Sequence, residues 1–67
     1  MEYKAISELS PGDMFYKWDV STRGYEKGML LSIDNSVANV YMYRVGESIM
    51  RIFENVSVDP PPPFLNR

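Results

Sequence analysis

Carboxylates, lysines and tyrosines are the side chains left to act as general acids or bases or as metal ligands, because the chain contains no histidine and no cysteine. Those two residue types supply the commonest general base and most transition-metal ligands. Asp19, Glu26 and Asp34 are the acids whose meeting would form a carboxylate cluster, but isolated surface acids are most often solvated charges. We therefore expect a protein that is not an enzyme and that holds no metal and no cofactor.

The number of aromatic residues is the most unusual feature of the composition, with five tyrosines, one tryptophan and three phenylalanines. The aliphatic side chains already suffice to fill a small barrel, and we assign its interior to Met29, Leu31, Ile33, Val40, Met42 and Ile52. Some rings must then lie near the surface, where an aromatic patch is typical of a protein–protein contact or a stacking platform. The alternative is that they cover the second face of the barrel or lie beneath the tail. The candidate partner-binding residues are Trp18, Tyr25, Tyr41, Tyr43 and Phe53.

The charge balance argues against nucleic acid as the first choice of partner. Seven basic residues against nine acidic ones give a net charge of −2, opposite in sign to the usual footprint of a nucleic-acid binder. Nucleic-acid binding stays an alternative, in which tyrosines stack on bases and phosphates are contacted by Lys17, Arg23, Lys27, Arg44 and Arg51. A third possibility is a small aromatic ligand or nucleotide held between subunits.

The first half of the chain predicts a turn, a strand and a long loop. In Leu9–Asp13, Pro11 and Gly12 occupy the second and third positions of a type II turn. In Met14–Trp18, alternation places Met14, Tyr16 and Trp18 on one face of a strand. The polar segment Asp19–Lys27 predicts a loop.

The second half predicts a three-stranded meander. Its strands are Gly28–Ile33, Val37–Val45 and Ile49–Val56, separated by turns at Asp34–Ser36 and Gly46–Ser48. Alternation turns Tyr41 and Tyr43 away from the aliphatic core. We interpret Gly24, Gly28 and Gly46 as turn and bulge residues, since no phosphate-loop pattern surrounds them. A short turn around Ser7–Leu9 or near Asn55 is the only helical candidate.

Sixty-seven residues predict one domain, which we place at residues 1–58, followed by a proline-rich tail at 59–67. Four successive prolines favour an extended polyproline II rod that docks on its own barrel, on a second copy or on another partner, or is a disordered end. The chain opens without an apolar signal sequence and has no run long enough to span a membrane. We expect a cytoplasmic protein with no membrane partner.

Two motifs carry a resemblance to a known fold family. They are Leu9-x-Pro11-Gly12-Asp13-x-Phe15 before the first strand and Lys27-Gly28-x-Leu30-Leu31-x-Ile33 after the loop. With the hairpins that follow, they resemble SH3-like small barrels, in particular KOW-type domains and small accessory proteins of bacteria and their viruses. The resemblance implies an all-β barrel of four to five antiparallel strands, and an OB-like closure remains the alternative. Signalling SH3 domains have a different first strand and KOW-type domains are basic, so only the scaffold is implied.

The function predicted from the sequence is a non-catalytic protein-binding module. It would be a small accessory or inhibitory protein, of a kind that viruses encode, and would grip a host protein or a second copy of itself. This prediction is motivated by surplus aromatic residues, by modest net charge and by the lack of a recognisable catalytic motif.

Overall fold

Antiparallel strands make up most of the chain in the computed structural model, which describes residues 2–62. The elements, in chain order, are β1 (Tyr3–Ala5), a 3₁₀ helix (Ile6–Glu8), β2 (Met14–Asp19), β3 (Gly24–Asp34), β4 (Val37–Met42), β5 (Gly46–Arg51) and β6 (Asn55–Ser57). The strands form one sheet in the order β1-β6-β2-β3-β4-β5. The all-β, antiparallel prediction is confirmed, with six strands instead of four or five.

The turn before β2 has the predicted type II geometry. The Asp13 amide donates to the Ser10 carbonyl at 2.9 Å, and Gly12 takes a φ of 96°, which favours glycine. The Gly12 amide also donates to the Leu30 carbonyl at 2.8 Å, so the turn is bonded to the middle of β3. The turn therefore fixes where β2 starts relative to β3.

The core lies on one side of this sheet, and the structure corrects which β3 residues fill it. Leu30 is fully buried, whereas Leu31 and Ile33 are partly exposed and Met29 is half-buried. Residue 30 faces inward because Gly28 pairs with the buried Phe15, and a bulge between Leu30 and Ser32 then shifts the alternation. The other buried apolar residues are Ile6, Ala38, Val40, Met42, Met50 and Val56, with Leu9 and Ile52 packed against them.

The predicted loop Asp19–Lys27 is wrong over most of its length. Asp19 already pairs with Gly24, so β2 and β3 form a long hairpin and only residues 20–23 connect them. Two features close this connection. The Asp19 carboxylate accepts from the Ser21 amide at 2.9 Å, and Arg23 takes a φ of 55°.

The last predicted strand, Ile49–Val56, is also wrong, because it is two strands. The backbone turns at residues 52–53, and the chain then crosses to the opposite end of the strand order, where β6 pairs with β1 and β2. The preceding turn lies at residues 43–45 and not at Gly46–Ser48, since Met42 pairs with Gly46. By contrast, the turn at residues 35–36 is confirmed by the pairing of Asp34 with Val37.

The segment after β5 joins the two ends of the sheet. The Ile52 amide donates to the Ser36 carbonyl at 3.4 Å, and the Ile52 carbonyl accepts from the Ser7 amide at 3.0 Å. The Ile6 amide donates to the Glu54 carbonyl at 2.9 Å, which holds the 3₁₀ helix over the core. That helix begins one residue before the predicted helical turn at Ser7–Leu9.

The predicted tail is described only in part. Pro60 is exposed and Pro61 and Pro62 are partly buried, all without regular secondary structure. The rest of the predicted tail, residues 63–67, lies outside the described residues.

Candidate protein-binding face

The face of the sheet opposite the core carries four of the five aromatic residues predicted from the sequence. Trp18 of β2 pairs with Tyr25 of β3, Tyr16 pairs with Lys27, and Met14 pairs with Met29, which in turn pairs with Tyr41 of β4. Residues paired directly across antiparallel strands point to the same side. We call this surface the outer face and define it by Met14, Tyr16, Trp18, Tyr25, Lys27, Met29, Tyr41 and Tyr43.

One end of the outer face is a cluster of three rings. Trp18 and Tyr25 meet edge to face with their centroids 5.2 Å apart, and the Tyr25 hydroxyl is hydrogen-bonded to the Tyr3 hydroxyl of β1. That hydrogen bond, together with some burial, raises the pKa of the Tyr25 phenol above its usual value. Trp18 nevertheless remains 45% exposed. The cluster is thus held in place while a broad apolar surface stays in contact with solvent.

The other end of the outer face is a tyrosine pair. Tyr41 and Tyr43 lie edge to face at 5.5 Å and are 41% and 51% exposed. The Lys27 ammonium lies 5.6 Å from the Tyr43 ring centroid, and the Tyr43 hydroxyl contacts the Met14 sulfur at 3.6 Å. These contacts orient Tyr43 across β3 towards β2. They link the tyrosine pair to the middle of the outer face.

Phe53, the fifth aromatic candidate, lies elsewhere. It follows β5 in the turn near Ser36 and is 67% exposed, with the Arg51 guanidinium 5.9 Å from its ring centroid. Because Arg51 pairs with Val37 at the opposite end of β4 from Tyr43, Phe53 is separated from the tyrosine pair by most of the length of that strand. The structure does not bring Phe53 together with the other four.

The five basic residues predicted for the nucleic-acid alternative are spread over the surface. Lys17 and Arg44 line a cleft on the core side, and Lys27 lies on the outer face. Arg23 lies in the turn between β2 and β3, and Arg51 lies beside the Phe53 ring at the end of β5. Arg44 is paired with acids, its Nε lying 2.7 Å from Glu26 and its Nη2 3.8 Å from Asp19. The described residues therefore offer no single basic stripe for a phosphate backbone.

A cleft opens at one end of the core. It has a volume of about 200 Å³ and combines charged walls, among them Lys17, Asp19 and Glu26, with the apolar Met42 and Met50. Hydrogen bonds from the Ser21 hydroxyl and amide, assisted by Arg44, hold the pKa of Asp19 below its usual value. Pockets that enclose drug-sized ligands measure about 300–1,000 Å³, so this cleft suits a single side chain better than a nucleotide.

The predicted partner-binding set left out four residues of the outer face or its border, which are Tyr3, Met14, Tyr16 and Met29. Tyr3 was missed because β1 is only three residues long. Alternation placed Met14 and Tyr16 on the face of Trp18 without marking them as binding residues, and Met29 was wrongly assigned to the interior, because methionine suits either side of a sheet. Among the described residues, no three acidic side chains gather as metal ligands would. The only helix within residues 2–62 is too short to cross a membrane.

Comparisons with known proteins add no relatives. No protein-family model, curated protein or solved structure matches this chain.

Proposed function

We propose that this chain is a non-catalytic protein-binding module that contacts its partner through the outer face. The observation that carries the proposal is the exposure of Trp18, Tyr41 and Tyr43 on one side of a small sheet. Aromatic residues in such positions are enriched in the centres of protein–protein interfaces, where they bury a large area for a small loss of side-chain entropy.

The fixed positions of the rings on the outer face support a role in binding. Edge-to-face contacts and the neighbouring Tyr3, Met14 and Lys27 side chains fix the rings in position before any partner arrives. Preorganised side chains lose less conformational entropy on binding than mobile ones. Met14 and Met29, which lie beside the tyrosine pair, add an adaptable apolar surface. We infer that both clusters contact one partner.

We propose that the scaffold is an SH3-like barrel. Three features support this closure over an OB-like one. The strand order is β6-β2-β3-β4-β5, and the bulged strand β3 pairs with both β2 and β4. The segment after β5 is hydrogen-bonded to Ser36, Ile6 and Ser7. We further propose that the protein is a small accessory or inhibitory protein of the cytoplasm, of a kind that viruses encode. The absence of histidine and cysteine and the resemblance to small accessory proteins support that role.

Affinity capture from nuclease-treated host lysate tests the proposal. The wild type is compared with Tyr41→Ala/Tyr43→Ala and with Phe53→Ala, a matched control that removes an exposed ring away from the outer face. We expect one protein to be captured by the wild type and by Phe53→Ala and lost with the double variant. Interface hot spots contribute about 2 kcal/mol or more each, so the double substitution should weaken binding by about a hundredfold or more.

Other outcomes overturn the proposal. Equal capture by all three proteins means that the outer face is not the contact surface. Capture that is lost on nuclease treatment, with a steep dependence on salt, assigns nucleic acid as the partner instead. Circular dichroism of each variant verifies folding, which we expect to be retained because the substituted side chains are exposed.

A further inference from the structure

The outer edge of β5 has no partner strand among the described residues. Within residues 2–62, β5 is the last strand of the sheet and pairs only with β4. The Ile52 amide donates towards Ser36, whereas the Arg51 amide points the other way and donates to the Glu54 carboxylate at 3.2 Å. Alternation along an antiparallel strand then turns the peptide groups of Ile49 and Glu47 away from β4. A free edge of this kind is a template for pairing with another strand.

The side chains of β5 are self-complementary about Ile49. Glu47, Ile49 and Arg51 lie on the outer side of the sheet and are all exposed, Ile49 by 70%, whereas Met50 faces the core. Two such strands placed antiparallel with Ile49 opposite Ile49 bring Glu47 of each copy opposite Arg51 of the other. Opposite charges in directly paired positions stabilise a sheet, and like charges there destabilise it.

We propose that β5 pairs with β5 of a second copy of this chain about a two-fold axis at Ile49. The Ile49 amide of each copy donates to the Ile49 carbonyl of the other, and two Glu47–Arg51 ion pairs flank an isoleucine contact. A two-fold contact closes on itself and produces a dimer, not a fibre. The two sheets become continuous, so that the outer faces of both copies lie side by side.

The charges of β5 favour a second copy over other strands. Within its own sheet Glu47 faces Tyr41 and Arg51 faces Val37, and the ion pairs of the described residues involve only Arg44. Pairing with a second copy gives both charges a partner. The Glu54 carboxylate leaves the Arg51 amide, which then donates to the Glu47 carbonyl of the other copy. The opposite edge, β1, is three residues long and contains Lys4, both of which discourage pairing.

Sedimentation velocity over a range of protein concentrations tests this dimer. We expect the wild type to dimerise and Glu47→Arg to raise the dimer dissociation constant by about tenfold or more, because two attractions become two repulsions. Arg51→Glu should have the same effect. Ile49→Lys, which places two like charges at the axis, should abolish dimerisation. All three positions are exposed, and circular dichroism verifies that each variant is folded.

Charge swaps give the decisive comparison. The double variant Glu47→Arg/Arg51→Glu restores opposite charges within its own dimer, and a mixture of the two single variants restores them in a heterodimer. Recovery of dimerisation in both cases supports the proposed register. A wild type that stays monomeric at the highest concentration, or a dimer that Glu47→Arg and Ile49→Lys leave unchanged, overturns it. Glu47 lies opposite Tyr41, but sedimentation reports association of the chain with itself when no partner is present. Failure of this dimer is therefore distinguishable from failure of the proposed function.

Discussion

Replacement of Gly28 by alanine tests how the sheet positions the outer face. A Cβ atom at residue 28 would lie 2.6 Å from the Met42 sulfur and 2.8 Å from Cζ of Phe15, whereas ordinary contacts begin near 3.4 Å. The Phe15 ring is fully buried against this glycine and cannot move away without disturbing the core. Overpacking of this kind costs about 1–3 kcal/mol.

An opposing effect reduces the expected loss. Alanine restricts the unfolded chain more than glycine does, which stabilises the folded state by about 0.4–1 kcal/mol. The steric cost outweighs this stabilisation, so we expect a net loss of about 1–2 kcal/mol in the free energy of unfolding. For a domain of this size that lowers Tm by roughly 5–15 °C. Because Phe15 and Gly28 set the register that places Trp18 opposite Tyr25, the near-ultraviolet circular dichroism of the rings should change as well.

Chemical denaturation followed by circular dichroism measures this loss. In a Met42→Val background the sulfur is gone, and Gly28→Ala should cost less there by about 0.5 kcal/mol or more. An unchanged or increased stability of Gly28→Ala would refute the close packing of Phe15 on β3. Equal costs in the two backgrounds would show that Met42 is not part of the clash.

Three further predictions concern the charged and phenolic groups. Tyr3→Phe should lower the pKa of Tyr25 towards 10.0, which near-ultraviolet absorbance measures. Because folding raises this pKa, the Tyr25 phenol stabilises the fold below pH 10.0, and the stabilisation is lost as the pH rises through the folded-state pKa. Tyr3→Phe should make that loss smaller. Ser21→Ala should raise the pKa of Asp19, measured by NMR titration; because folding lowers this pKa, its stabilisation is present above pH 3.8 and is lost as the pH falls through the folded-state pKa. Arg44→Met should cost no more than about 1 kcal/mol of unfolding free energy, and less in high salt, since its side chain is largely exposed.

Local sequence signals predicted the elements whose shape depends on nearby residues. The Pro11-Gly12 turn, β2 and the turn at residues 35–36 follow from turn chemistry and from alternation over five or more residues. The outward orientation of Tyr41 follows from the same alternation along β4, where Ala38, Val40 and Met42 define the buried side. Tyr43 lies one residue beyond β4, and its amide donates to the Lys27 carbonyl at 3.0 Å, which continues the alternation into the turn.

Elements that depend on distant contacts were missed or misplaced. Leu30 and Leu31 are both apolar, so the sequence does not reveal which one faces inward; the pairing of Gly28 with Phe15 decides it. The strands β1 and β6 have three residues each and exist because they pair with each other across the length of the chain. Their pairing is also what brings Tyr3 to Tyr25.

The candidate site was predicted as a set of rings but not as an arrangement. The aromatic surplus identified the residue types. Alternation turned the tyrosine pair away from the core and placed Trp18 on one face of its strand with Met14 and Tyr16. The separation of Phe53 depends on the turn that splits the last predicted strand, which the imperfect alternation from Ile49 onwards did not reveal.

The fluorescence of Trp18 tests the central claim most directly, because it is the one tryptophan in the chain and lies on the outer face. The measurement is a titration of the wild type with the captured partner, using a tryptophan-free version or domain of that partner, followed by emission wavelength and by quenching with acrylamide. We predict a shift to shorter wavelength and protection from the quencher that saturate with binding, and a loss of affinity in Tyr41→Ala/Tyr43→Ala. Saturable binding that leaves both the emission and the quenching of Trp18 unchanged would contradict the account.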